Sequence, residues 1–306
     1  MIIKEADARE RDLEVLNLIA ERKDLPSATK GRVEEQIKAI RIGVAGEKAS
    51  AYHIDFTCKD SRKLAVIHDL RLDVGGRIAQ IDHLVLHWTL WGFVCESKNY
   101  NAGLAVDQQG DFTAFYGKIP RAIPSPAEQN RKHIAVLSDL LRTEDFPLPT
   151  RLGFKMQPAL KSLIMVSPSS RITMQGKYDS FSIIKADAFD RTLKDTFDNL
   201  PLTQIAKTIS SENLRDLAEA IAAKHVPIEF DWYARFGLTP PEPVVQPAVQ
   251  QPGADQPANA ASGMKCEGCT GPLSKAEHFW CIRNKAKFNG KRLCRKCQAE
   301  VAAKTT

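Results

Sequence analysis

The sequence predicts an α/β protein with a mixed central sheet, followed by a small, separate cysteine-bearing module. Three observations predict it. Apolar residues recur first at helical spacing, then in three strand-like runs, then at helical spacing again, and finally in one short apolar run. A Pro-, Gln- and Ala-rich stretch at 239–263 breaks this pattern, and two Cys-x-x-Cys pairs lie beyond it.

Residues 5–24 carry Leu13, Leu16, Ile19 and Ala20 on one stripe and predict an amphipathic helix. After Pro26, residues 27–53 predict a longer helix with Val33, Ile37, Ile40 and Val44 inward. Gly43 and Gly46 weaken its interior, and close packing against a sheet is a physical reason to keep them. Strands follow at 64–74, 77–87 and 91–100, the first two joined by a Gly75-Gly76 turn and the last two by Trp88-Thr89-Leu90. A weaker strand is expected at 112–116. Ser125-Pro126 opens a helix to about Arg142 with Ile134, Leu137, Leu140 and Leu141 facing inward. Residues 160–166 and 182–185 read as strands, 188–197 and 212–224 as helices.

The chemistry concentrates on the second and third strands. Asp82 is followed, after thirteen intervening residues, by Glu96-Ser97-Lys98. With the turn centred on Thr89, antiparallel pairing sets Asp82 opposite Glu96 and Gln80 opposite Lys98, with opposed Cβ atoms about 5 Å apart. Two carboxylates that close repel unless a cation lies between them or one takes up a proton. A divalent metal on hard oxygen donors, Mg²⁺ or Mn²⁺, is the simplest resolution, with the Ser97 carbonyl as a third ligand. A lysine beside such a metal can orient or activate water, which is the chemistry of phosphodiester hydrolysis. The blander alternative for Lys98 is a salt bridge to Glu96 or Asp82. His83 faces away from Asp82 on a regular strand and is expected to be structural, as Cys95 is expected to be core.

Together with Gly46-Glu47 upstream, Gln80-Ile81-Asp82-His83-Leu84, Glu96-Ser97-Lys98-Asn99-Tyr100 and Pro126-Ala127-Glu128-Gln129-Asn130, this pattern resembles the PD-(D/E)xK nucleases, among them restriction endonucleases and Holliday-junction resolvases, and more narrowly the NERD (nuclease-related) domain. The resemblance spans roughly residues 40–150, about a third of the chain. Ile81 stands where many relatives have Pro, and Ser97 where Thr is more usual; neither change removes a ligand side chain. The resemblance implies a restriction-endonuclease-like αβββαβ core, a metal-dependent nuclease acting on DNA, and site roles for Glu47 and Gln129. His133 shares a helix face with Gln129, although a surface histidine is the default there.

Residues 239–263 cannot bury enough apolar surface to fold and predict a linker between a domain at 1–238 and a module at 264–306. In that module Cys266-x-x-Cys269 and Cys294-x-x-Cys297, twenty-four residues apart, predict a tetrahedral structural Zn²⁺ site of zinc-ribbon type. Cys281 is expected to be a small buried hydrophobe. The module holds ten Lys/Arg against three Glu, a net +7, while the rest of the chain sums to −1. Lys285, Lys287, Lys291, Arg292, Arg295 and Lys296 are the expected phosphate contacts. Phe279, Trp280 and Phe288 are expected to pack around the metal in preference to stacking on bases.

Charged residues close to Met1 and the lack of a long apolar run argue against a secretory signal or a membrane span, so a cytoplasmic protein is expected. No Gly-x-x-x-x-Gly-Lys-Ser/Thr motor motif is present. The rival readings are a nucleic-acid-binding module that no longer cuts and a regulatory protein docking partners through the zinc ribbon. A homodimer or a separate DNA-processing partner is compatible with each.

Overall fold

The computed structural model describes residues 1–100, 102–240, 265–269, 271, 273, 277, 278, 281, 288 and 290–303. They fall into two units, Met1–Thr239 and Pro240–Thr306. The first contains β1 (Ile2–Lys4), α1 (Glu10–Ala20), α2 (Ser27–Cys58), β2 (Leu64–Val74), β3 (Arg77–His87), β4 (Trp91–Lys98), β5 (Gly103–Val106), β6 (Phe112–Tyr116), β7 (Ile119–Ile123) and α3 (Pro126–Leu141). It continues with β8 (Thr150–Arg151), β9 (Phe154–Lys155), β10 (Ala159–Val166), β11 (Arg171–Met174), β12 (Phe181–Lys185), a 3-10 turn at Ala186–Ala188, α4 (Phe189–Asp198), α5 (Leu202–Ile205), α6 (Ser211–Ala222) and α7 (Trp232–Arg235). The second contributes α8 (Arg295–Ala303).

The main sheet runs β1-β2-β3-β4-β10-β12 and is mixed: β2, β3 and β4 form an antiparallel meander, while β1, β10 and β12 lie parallel to their neighbours. Its two faces are apolar for different reasons. Leu84, Leu86 and Val94 pack with Leu137 of α3 and Leu217 of α6. On the reverse face Val66, Val85 and Cys95 pack with Ile54 of α2 and Phe189 of α4. A second sheet, β11-β5-β6-β7, is built from the chain just beyond β4 and β10.

The Gly75-Gly76 turn has both residues in the left-handed region (φ 60° and 77°), which an L side chain resists and a two-residue hairpin needs. The capping hydroxyl of Ser125 accepts the Glu128 N–H at 3.2 Å, and Pro126 occupies the first helical turn of α3 as expected. Several expectations are corrected. The first helix starts at Glu10, because residues 2–4 pair with β2. The second helix runs on to Cys58, since Ile54 and Cys58 find cover under the sheet. The third strand stops at Lys98, where its pairing with β10 ends. β5, β8, β9 and β11 are too short to leave an alternation, and β7 carries Pro120 and exposes Ile119 through Ala122, so neither its composition nor its pattern marks a strand. Among the described residues no helix is long and apolar enough to cross a membrane.

Candidate active site and cysteine cluster

The register between β3 and β4 pairs His87 with Trp91 and His83 with Cys95, and there it stops. Beyond that rung β3 pairs only with β2, and β4 only with β10. The sheet forks at Asp82, which the same register sets opposite Glu96. Gln80 therefore does not pair with Lys98; its amide instead donates to Asp69 Oδ1 at 3.3 Å. In the gap, Asp82 Oδ2 accepts the Ser97 N–H at 2.7 Å, so a side chain takes over where the ladder ends.

The fork has a cause one strand away. Asp69 stands opposite Asp82 across β2 and β3, and its φ of 47° is left-handed for a residue with a Cβ. Both strands lose their alternation at this rung. Ile67 and Leu70, and likewise Ile81 and Leu84, lie three apart yet point into one cluster. Asp82 thus escapes the pleat that would have fixed its face.

Two further elements converge on the fork. A Cβ on Gly46 would meet the Asn99 Cβ at 2.9 Å, so only glycine lets α2 come this close to the chain after Lys98. That approach brings Glu47 to the acids. Asn130, fully buried, donates to the Val94 carbonyl at 2.9 Å and to Ser162 Oγ at 3.1 Å, pinning α3 onto β4 and β10. Gln129 and His133 then face β4. His133 is buried, correcting the expected surface histidine, and its Nδ1 lies 4.0 Å from Glu96 Oε2.

The electrostatics are those of one cluster. Burial pushes Asp82 well above the usual carboxylate range, and the charges of Glu96 and Glu47 push it further, against the Ser97 N–H and Lys98. Burial also raises Glu96, opposed by the Lys98 charge and hydrogen bond and by Gln129, and reinforced by Glu47. Burial and Asp69 raise Glu47, against Arg9 and Lys98. Lys98 Nζ sits 2.6 Å from Glu96 Oε1 and 3.4 Å from Gln129 Oε1. Burial alone would lower the Lys98 ammonium, but Glu96 outweighs it and the pKa is raised. The salt bridge weighed for Lys98 is therefore present. Asp69 and Arg9 were not legible as site residues, because nothing in their local pattern marks them.

On the other side of Ser97 runs a buried hydrogen-bond chain: Asp55 Oδ1 to His68 Nε2 at 2.9 Å, His68 Nδ1 to His83 Nδ1 at 2.7 Å, and His83 Nε2 to Ser97 Oγ at 3.1 Å. The carboxylate can only accept, so His68 carries its proton on Nε2, His83 on Nδ1, and Ser97 donates its hydroxyl. Burial and the neighbouring His68 hold the His83 pKa well below its usual value, in keeping with a neutral ring. His83 is structural, as expected, and it steadies the residue that holds Asp82.

The donor set suits a divalent metal: hard carboxylate oxygens whose mutual charge is costly without a cation, and an enclosed Glu96 Oε2 with no hydrogen-bond partner. Glu47, Asp82 and Glu96 do not close around one point. Among the described residues, three or more ligand atoms converge within 4.8 Å only at the four cysteines and at Glu5, Asp55 and His68. A cavity of about 280 Å³ reaches Glu47 along Arg9, Val44 and Phe230.

In the second unit Cys266, Cys269, Cys294 and Cys297 bring their sulfurs within 4.8 Å of one another. The Cys269–Cys294 separation is 3.7 Å. Four ligands at about 2.3 Å from one ion at tetrahedral corners stand about 3.8 Å apart, so the cluster is compatible with zinc. The Gly268 and Cys294 N–H groups both donate to Cys266 Sγ, and a Cβ on Gly268 would meet Cys297 Sγ at 3.0 Å. Burial pushes Cys266 up, but these N–H donors win and bring it down to about 6. Phe288 and Cys281 are buried, as expected. Arg292, one of the expected phosphate contacts, also has a partner within the module: its guanidinium and N–H grip Glu267, at 2.7 and 2.6 Å, tying the two Cys-x-x-Cys segments together. Lys291, Arg295 and Lys296 are exposed, while Lys285, Lys287, Phe279, Trp280 and residues 241–264 lie outside the described residues.

Residues 42–161 match the family model of the nuclease-related domain, NERD. No curated protein and no solved structure matches the chain. The matched span runs from the glycine-bearing middle of α2 through the forked strands to the start of β10, and so contains every acid of the cluster: Glu47, Asp69, Asp82 and Glu96 all lie inside it. This chain carries a nuclease-related domain at residues 42–161.

Proposed function

We propose that the protein is a divalent-metal-dependent nuclease of PD-(D/E)xK type that hydrolyses phosphodiester bonds of DNA, on a restriction-endonuclease-like core. The observation that carries this reading is the fork: Asp82 and Glu96 face each other where β3 and β4 stop pairing, with Lys98 on Glu96, inside a nuclease-related domain. Asp82 and Glu96, with the Ser97 carbonyl, would hold Mg²⁺ or Mn²⁺, and Glu47 would add charge to the same site. When bound, the metal supplies Lewis-acid polarisation of a phosphoryl oxygen and offsets charge developing on it. Lys98, held on Glu96 Oε1, would turn the remaining N–H groups of its ammonium to the attacking water or the phosphate. Gln129, within reach of Lys98 Nζ, orients the same water. The Ser97 N–H keeps Asp82 aimed into the gap. The C-terminal module, folded on zinc as a ribbon, adds phosphate contacts through Lys291, Arg295 and Lys296 and, in the basic segment before them, Lys285 and Lys287.

Supercoiled, linear and single-stranded DNA incubated with Mg²⁺, Mn²⁺ or EDTA tests the reading. Cleavage is expected with either metal and not with EDTA. Asp82→Asn, Glu96→Gln and Lys98→Ala are each expected to lose at least about a thousandfold in rate, with DNA binding retained. Absence of cleavage under every condition, or variants that cut like the wild type, would defeat it.

A further inference from the structure

Two enclosed polar atoms beside the acid pair face each other without hydrogen bonds. Glu96 Oε2 and His133 Nδ1 are both buried and both without a hydrogen-bond partner, and they stand 4.0 Å apart. Burying such an atom without a partner forfeits the hydrogen bonds that water gave it, so two at one point call for an occupant. The separation is too long for a hydrogen bond. It suits two ligands of one ion: donors each about 2.1 Å from a cation lie about 3.0 Å apart at right angles and about 4.2 Å apart across it. The partners leave little freedom. Lys98 occupies Glu96 Oε1, so Oε2 is the oxygen left to donate. Asn130 fixes α3 on β4 and β10, and His133 lies three residues along the same helix.

We propose that His133 is a ligand, through Nδ1, of the divalent metal that Glu96 holds, and that this imidazole biases the site toward Mn²⁺ and other first-row transition ions over Mg²⁺. The proposal rests on the metal-site reading above and adds a nitrogen donor to its oxygen set. Imidazole suits transition ions, whereas Mg²⁺ prefers oxygen throughout.

The test uses the full-length chain with its tail cysteines saturated with zinc, titrated with Mn²⁺ and, separately, Mg²⁺. Pulsed electron paramagnetic resonance of the Mn²⁺ complex should show coupling to a directly bound ¹⁴N. His133→Ala should abolish that coupling and weaken Mn²⁺ binding by at least about tenfold in calorimetry, with Mg²⁺ changed by less than about threefold. Glu96→Gln should abolish the coupling too. Glu5→Gln, in the separate Glu5–Asp55–His68 group, should leave it intact. Should His133→Ala fail to fold, the wild-type spectrum and Glu96→Gln still decide. Mn²⁺ binding that needs Glu96 yet shows no ¹⁴N coupling would overturn the role of His133 and leave the carboxylate site standing. Coupling that survives His133→Ala would also overturn it. Mn²⁺ binding indifferent to both Asp82 and Glu96 would defeat this proposal and the site reading together.

Discussion

The acid cluster and the cysteine cluster both gather groups that repel one another, but they are held in opposite ways. The acids ride on a sheet whose two apolar faces contain none of them. The cysteines are themselves the core: Cys266 and Cys297 sit in the tail's apolar cluster beside Leu273, Cys281, Phe288 and Leu293. One site is built on a fold, whereas the other supplies much of its own. A cation should therefore be optional for the structure of the first unit and obligatory for that of the second.

The largest effect follows directly. Removing zinc by chelation, or by Cys266→Ser with Cys297→Ser, is expected to unfold the tail, because apparent zinc-binding energies of about 10–16 kcal/mol in small modules are folding energies. Amide NMR signals of the tail should collapse to random-coil positions while those of residues 1–239 stay put. A tail that keeps dispersed signals without zinc would break the comparison.

The second effect has the opposite sign. The folded state raises the pKa of Asp82, Glu96 and Glu47 above the values near 4 of an unfolded chain, so between those values it binds more protons than the unfolded state. Stability from these groups is present below the unfolded pKa and lost as pH rises through the folded one. At pH 7, without Mg²⁺ or Mn²⁺ and with zinc retained, Asp82→Asn should stabilise the first unit by about 1 kcal/mol, or about 2–4 °C in Tm. The gain should vanish as pH falls toward 4. Thermal unfolding across that range checks it, and a variant less stable than wild type at pH 7 would count against the repulsive cluster.

Deleting residues 239–306 should act on neither fold nor cleavage centre but on the reach of the protein for phosphate. With the module's ten Lys/Arg gone, and a net +5 once Glu242 and Asp255 of the linker are counted, the slope of log affinity against log salt should flatten by about one unit per lost contact. Lys291→Ala and Lys296→Ala should each account for a step, and Arg292→Ala for less, since its guanidinium is committed to Glu267.

Much of this was legible in the sequence. The turn at Trp88–Leu90 and the apolar runs beside it set the register that opposes Asp82 and Glu96, and the paired cysteines marked their own cluster. What alternation could not convey is where a ladder stops. That depends on Asp69 adopting a left-handed conformation opposite Asp82, a feature no spacing records. The face of His133 was readable from its distance to Gln129, but its burial is decided by Asn130 reaching strands that lie 32 and 36 residues away in sequence. Likewise the charge of Arg292 was plain and its partner, 25 residues distant, was not.

The smallest effect isolates how the fold serves the acids, and it can be read from two glycines of one helix. Gly43 and Gly46 both sit inside α2, where alanine is favoured over glycine by about 0.5–1 kcal/mol. A Cβ at Gly43 meets only its own helix's Glu47 Oε1 at 3.9 Å, an ordinary contact, so Gly43→Ala should stabilise by up to about 1 kcal/mol. A Cβ at Gly46 meets the Asn99 Cβ at 2.9 Å, and neither side can yield without moving backbone. Overpacking of this kind costs about 1–3 kcal/mol, which outweighs the helical gain and pushes α2 off the end of β4. Glu47 moves with it, so Gly46→Ala should lower both Tm and any metal-dependent cleavage, while Gly43→Ala raises the first and spares the second. Equal signs for the two substitutions in thermal unfolding would show that the approach of α2 to Asn99 is not what sets Glu47 against the acids.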